Sequence, residues 1–113
     1  MIVRELNNIK EIKQLNKSVE VDTVVTDFYA CDLLSFLMGH ATQEGTCLIT
    51  AITNMNVIAI ASLLEYSVII FVEDMTPSEE VIMKAESLNI PLFKTTLSSL
   101  KIYKEILDYE SQI

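Results

Sequence analysis

Glycine is nearly missing from this chain: Gly39 and Gly45 are the only two in 113 residues, and Pro77 and Pro91 are the only prolines. With so few glycines there is no P-loop to wrap phosphates, no GxGxxG turn for a dinucleotide and no GxSxG elbow to present a nucleophilic serine. Cysteine is equally sparse, and Cys31 and Cys47 have neither CxxC spacing nor a nearby Cys or His pair to complete a tetrahedral metal site. Both read as small buried hydrophobes. A single histidine, His40, would have to serve any triad or metal centre, and its place after a helix end suits a surface contact with the helix dipole. Neither cysteine has basic neighbours that would lower its pKa. Basic residues are scarce too: eight against sixteen acidic ones leave a formal charge of −8, which repels nucleic acid and anionic lipid. Long apolar runs are absent, since Val57 to Leu64 and Val68 to Val72 fall short of the roughly 20 residues that cross a bilayer. The opening Met1-Ile2-Val3-Arg4-Glu5 carries no leader pattern, which places the expected site of action in the cytoplasm.

Half of the residues are apolar and 21% are charged, a composition that folds. The length suits one domain over residues 1–113, with no internal repeat, linker or low-complexity tract. Leu6, Ile9, Ile12 and Leu15 recur every three residues among polar ones and predict a short amphipathic helix that Asn16 and Lys17 end. Val19 to Ala30 reads as strand, broken at Asp22. Asp32 is placed to cap a helix through Met38, with Gly39 as its terminator. From there the pattern is regular. Thr46 to Thr50 predicts a buried strand, Asn54 or Asn56 caps an apolar helix through Leu64, and Ser67 to Val72 predicts a central parallel strand. Thr76-Pro77-Ser78-Glu79-Glu80 opens a helix, with Thr76 as cap and Pro77 in the first turn, that runs to about Asn89. Leu92 to Thr95 is a last strand, and Ser98 or Ser99 caps a helix burying Leu100, Tyr103, Ile106 and Leu107. Strands alternating with helices predict an α/β domain with a mainly parallel sheet of about four to five strands covered by helices.

In such sheets ligands gather at the carboxyl ends of the strands, where helix N-termini present free N–H groups. Those positions here are rich in hydroxyls and amides: Thr50, Thr53, Asn54 and Asn56 after one strand, Glu73, Asp74 and Thr76 after another, Thr95, Thr96, Ser98 and Ser99 after the last. The ligand-contact candidates are Asp32, Thr50, Asn54, Asn56, Thr95, Thr96 and Ser98. Helix capping alone would also produce this enrichment, so both readings stand. Glu73 and Asp74 lack a third ligand for a cation, so no metal, cofactor or catalytic residue is assigned. A chain this short and apolar is expected to bury more surface in a homodimer, with Tyr103 and Tyr109 as contact residues.

At Tyr29-Ala30-Cys31-Asp32-Leu33-Leu34-Ser35, then Met38-Gly39-His40-Ala41 and Glu44-Gly45, the sequence resembles the DRTGG domain family. The resemblance continues through Leu48-Ile49-Thr50, Asn56 to Ala61, Val68-Ile69-Ile70 and Pro77 to Leu92, nearly the whole chain. It implies a fold similar to the N-terminal domain of HPr kinase/phosphorylase and a regulatory module rather than a kinase, whose chemistry belongs to a separate P-loop domain. The chain departs from the motif that names the family. Asp22 stands at the aspartate, but Thr23 replaces the arginine, and Asp27 and Phe28 stand at the two glycines, where their side chains narrow any approach.

The expected function is therefore a non-catalytic regulatory or ligand-sensing domain that binds a nucleotide or other small polar metabolite as a dimer. The alternatives are a protein-interaction subunit without a small ligand and a small enzyme using Asp32, His40 or a cysteine.

Overall fold

The two runs free of polar interruption become the centre of the sheet. Strands β3 (Thr46–Thr50) and β4 (Val68–Phe71) are buried along their whole length. The computed structural model describes residues 1–112 and adds β1 (Lys13–Gln14), β2 (Asp27–Ala30) and β5 (Leu92–Lys94). The five strands lie in the order β1-β5-β4-β3-β2. All pairs are parallel except β1 with β5, where Lys13 faces Lys94 and Gln14 faces Phe93. Helices α1 (Leu34–His40), α2 (Met55–Leu63), α3 (Glu79–Ser87) and α4 (Ser99–Glu110) follow β2, β3, β4 and β5 in turn.

Successive strand residues point to opposite faces, so each strand feeds two cores. Leu48, Ile69, Phe71 and Leu92 pack with Leu37, Val57, Ile58, Ala61, Val81 and Ala85 of α1, α2 and α3. Cys47, Ile49, Val68, Ile70 and Phe93 pack on the other face with Ile102 and Ile106 of α4 and with Val3, Leu6, Ile9 and Ile12. The result is the mainly parallel, helix-covered α/β architecture that the alternating pattern predicts. Among the described residues no helix is long and apolar enough to cross a membrane.

The N-terminal third differs from its prediction. Val3–Asn8 forms a 3-10 helix, not the first half of an α-helix, and the chain then turns into β1. A repeat of three matches the three residues per turn of a 3-10 helix, and Leu6, Ile9 and Ile12 all reach the core without an α-helix. Asn16 does not end a helix but is buried beside β5, donating to the Ile90 carbonyl and accepting from Leu92 N–H, both at 2.8 Å. Of the predicted strand from Val19 to Ala30 only β2 forms. The residues before it run extended beside the N-terminus through Val3 N–H to Thr23 O, Arg4 N–H to Val21 O and an isolated bridge between Ile2 and Val24.

Helix starts are corrected in two places. Asp32 is not a cap: the residue at the N-cap of α1 is Leu33, which makes no side-chain cap. Ser78, not Thr76, caps α3, because Pro77 lies before the cap rather than in the first turn. Gly39 lies inside α1 instead of ending it. Gly45 has a demanding position: at φ 86° a Cβ there would lie 2.7 Å from Thr26 Oγ1.

Candidate functional site

Because β2, β3, β4 and β5 run parallel, the segments that leave them meet at one edge of the sheet. They are stitched together there. Val72 N–H donates to Thr50 O, Thr95 N–H to Phe71 O, Asp74 N–H to Thr95 O and Glu73 N–H to Leu97 O. Asp32 reaches from the β2 end to the β3 end, where its Oδ1 accepts from Thr50 Oγ1 at 2.9 Å and Ala51 N–H at 2.8 Å. Asn54 caps α2 by accepting from Asn56 N–H, and Ser98 caps α4 by accepting from Lys101 N–H. Thr95 accepts from Leu97 N–H. Thr50 and Thr95 are buried, whereas Asp32, Asn54, Asn56 and Thr96 are exposed and Ser98 is half-buried. Among the described residues the side chains of Asn56 and Thr96 have no hydrogen-bond partner. The edge therefore holds two kinds of polar group: Asp32, Thr50 and Thr95 fix its shape, while Asn54, Asn56, Thr96 and Ser98 face outward or border it.

The segment after β4 is held in an uncommon conformation. Glu73 and Asp74 are consecutive non-glycine residues in the left-handed region, at φ 57° and 58°, which costs about 1 to 2 kcal/mol per residue. Lys94 at the end of β5 lies beneath them, donating to Thr76 Oγ1 at 2.6 Å and pairing with Asp74 Oδ1 at 2.9 Å.

Beside this edge is an apolar pocket of about 230 Å³ lined by Phe28, Tyr29, Ala30, Ile49, Ser99, Leu100 and Tyr103. Phe28 and Tyr103 meet with ring centroids 5.3 Å apart and planes tilted by 59°, the arrangement aromatic pairs prefer. Ser99 and Leu100 open α4, where backbone N–H groups have no intrahelical acceptor, so the pocket sets aromatic walls against free donors. The sequence reading missed it. Phe28 stood out only as the replacement for a glycine and Tyr103 only as a buried or contact residue of the last helix, and nothing in the spacing links them.

A larger cleft, of about 530 Å³, lies at the opposite edge between Thr26, Glu44, Gly45, Glu65, Ser67 and Asn89. There the helices present their C-terminal ends, and two carboxylates line the wall with no basic residue, so an anion is repelled. Size favours that cleft, but donor supply and a lining without carboxylates favour the aromatic pocket.

The other reactive residues are occupied. His40 stacks on Phe36 at 3.6 Å, and its Nδ1 lies 3.0 Å from the Phe36 carbonyl. Cys47 is buried in the core and burial pushes its thiol pKa up. Cys31 is only half-buried, and its Sγ accepts from Leu33 N–H at 3.4 Å. Among the described residues no three His, Cys, Asp or Glu side chains converge to hold a metal ion.

No protein-family model and no curated protein matches this chain. Its fold does match a solved structure, the CBS and DRTGG domains of the regulatory region of Clostridium perfringens pyrophosphatase complexed with the activator diadenosine tetraphosphate. The match has a TM-score of 0.68 at 20% identity and covers 95% of this chain but 46% of that one. This chain thus spans less than half the length of that protein's chain, and the likeness establishes its fold: a DRTGG-like α/β domain.

Proposed function

We propose that this chain is a non-catalytic regulatory domain of the cytoplasm, a single unit over residues 1–113, that senses a nucleotide at the carboxyl edge of its sheet and acts as a homodimer. One observation carries the reading: the pocket walled by Phe28, Tyr29 and Tyr103 abuts the N-terminus of α4. A base has faces to stack on, and the polar remainder of the ligand meets N–H groups and the rim of Asn54, Asn56, Thr96 and Ser98. Asp32, Thr50 and Thr95 hold that rim in register. A nucleotide activator in the complex of the fold relative supports the ligand class.

The experiment is thermal unfolding of the purified chain against a panel of nucleotides and phosphorylated metabolites. A ligand at a hundred times its Kd adds about 2.7 kcal/mol, a shift easily read. The expected outcome is a shift with one nucleotide class that disappears in Tyr103→Ala, each variant being compared with its own ligand-free midpoint. A flat panel overturns the reading. It favours instead a protein-interaction subunit, for which exposed Leu33, Phe36 and Met38 around α1 provide an apolar patch.

A further inference from the structure

The geometry points to Lys94 as the residue that reads the phosphate of the ligand, with Asp74 occupying it until a ligand arrives. This rests on the nucleotide reading above and adds to it the charged contact and its competitor. A chain of charge −8 repels an anion unless one cation is placed at the site. Of the eight basic residues, seven are exposed and Lys94 alone is half-buried, with 21% of its side chain accessible. Its ammonium carries three donors, and two of them are taken by Thr76 Oγ1 and Asp74 Oδ1. One donor is left over.

Asp74 is a replaceable partner. Its side chain is 65% exposed, so its carboxylate leaves Lys94 for water without uncovering the core. A phosphate oxygen entering from solvent offers Lys94 the same kind of charge-assisted hydrogen bond. The exchange is connected to the pocket through backbone. Asp74 N–H and Glu73 N–H are bonded to the carbonyls of Thr95 and Leu97, in the turn that leads directly into α4. Lys101, in the first turn of α4, is exposed, and among the described residues its ammonium has no such partners.

The test is an NMR titration of the 15N-labelled full chain with three probes: sodium tripolyphosphate, adenosine and adenosine triphosphate. Both phosphate-bearing probes are expected to shift the amides of Glu73, Asp74 and Thr95. Lys94→Met weakens these two by about tenfold or more, the worth of one charge-assisted hydrogen bond, and leaves adenosine unchanged. Lys94→Arg keeps most of the binding, and Asp74→Asn strengthens it, an opposite sign that a merely structural role does not produce. The amide spectrum of each variant reports whether it is folded. Adenosine triphosphate bound equally well by the native chain and by Lys94→Met overturns the proposal while leaving the nucleotide site standing. Lys94-dependent binding of tripolyphosphate, with no response to either adenosine probe at Phe28, Tyr29 and Tyr103, supports the phosphate contact and removes the nucleotide reading. No response to any probe removes both.

Discussion

An aspartate between a strand and a helix can cap the helix or hold the strand ends, and in this chain Asp32 does the second. Its Oδ1 accepts from the Thr50 hydroxyl and from Ala51 N–H, while α1 starts without a side-chain cap. The difference matters because Thr50 is fully buried. In Asp32→Ala the buried Thr50 hydroxyl loses its side-chain acceptor, and a buried donor left unsatisfied costs about 1 to 3 kcal/mol. Asp32→Asn retains one acceptor oxygen and is expected to lose less. Urea denaturation at neutral pH checks the order: native, then Asn, then Ala. An alanine variant as stable as the native chain would mean that the tie between the β2 and β3 ends carries no weight. The same residue marks a limit of the sequence reading. Residue type identified Asp32 as a polar group at the ligand edge, but only the parallel pairing of β2 with β3 brings it to Thr50.

At the scale of elements, α4 departs most usefully from expectation. Ile102 and Ile106, one turn apart, are its buried residues, whereas Leu100 is 83% exposed and Leu107 47%. Leu100 and Leu107, seven residues apart, share one exposed side of α4, while Tyr103 between them packs against the core and Phe28. The free edge of β2 is a poorer contact surface, because the carboxylate of Asp27 already takes Phe28 N–H at 2.9 Å. The proposed homodimer is expected to form through Leu100 and Leu107. Sedimentation equilibrium is expected to give a dimer for the native chain and a monomer for Leu100→Glu with Leu107→Glu, with little change in folding stability because neither side chain is in the core. A native monomer refutes this. The regular second half was legible because Asn54 and Ser98 cap helices beside uninterrupted apolar strands, although the cap of α3 is Ser78 and not the expected Thr76. The N-terminal segment was not, since short 3-10 turns and a two-residue strand draw their stability from tertiary contacts. For the site, the polar rim was visible as residue types after each strand. Its sorting into buried struts and exposed contacts depends on packing, and the Phe28 and Tyr103 pocket depends on residues distant in sequence.

The whole molecule is expected to lose stability in alkali by two separable steps. Cys47 lies in the core between sheet and α4, and burial holds its thiol pKa above the ordinary value of about 8.5. Tyr66 is pushed up to about 12, first by burial and then by the nearness of Cys31 and Tyr29, and its hydroxyl donates to the Ala41 carbonyl at 2.7 Å. In both cases the folded state keeps a proton that the unfolded chain has begun to release. Their contribution is complete below the unfolded pKa and is lost as the pH rises above it. The Cys47 window opens near about pH 8.5, and the Tyr66 window near about pH 10, the ordinary tyrosine value. Lys104, raised by its hydrogen bond to Asp108, is fully exposed and adds little. Unfolding free energies from urea titrations at successive pH values should therefore be level around neutrality and decline above about pH 8.5. Cys47→Val, which keeps an apolar side chain of similar size, should delay the onset to the tyrosine window. Tyr66→Phe should keep the first decline and remove the second. An identical onset in Cys47→Val and the native chain would locate the alkaline sensitivity outside the core, and would leave the buried thiol without a part in it.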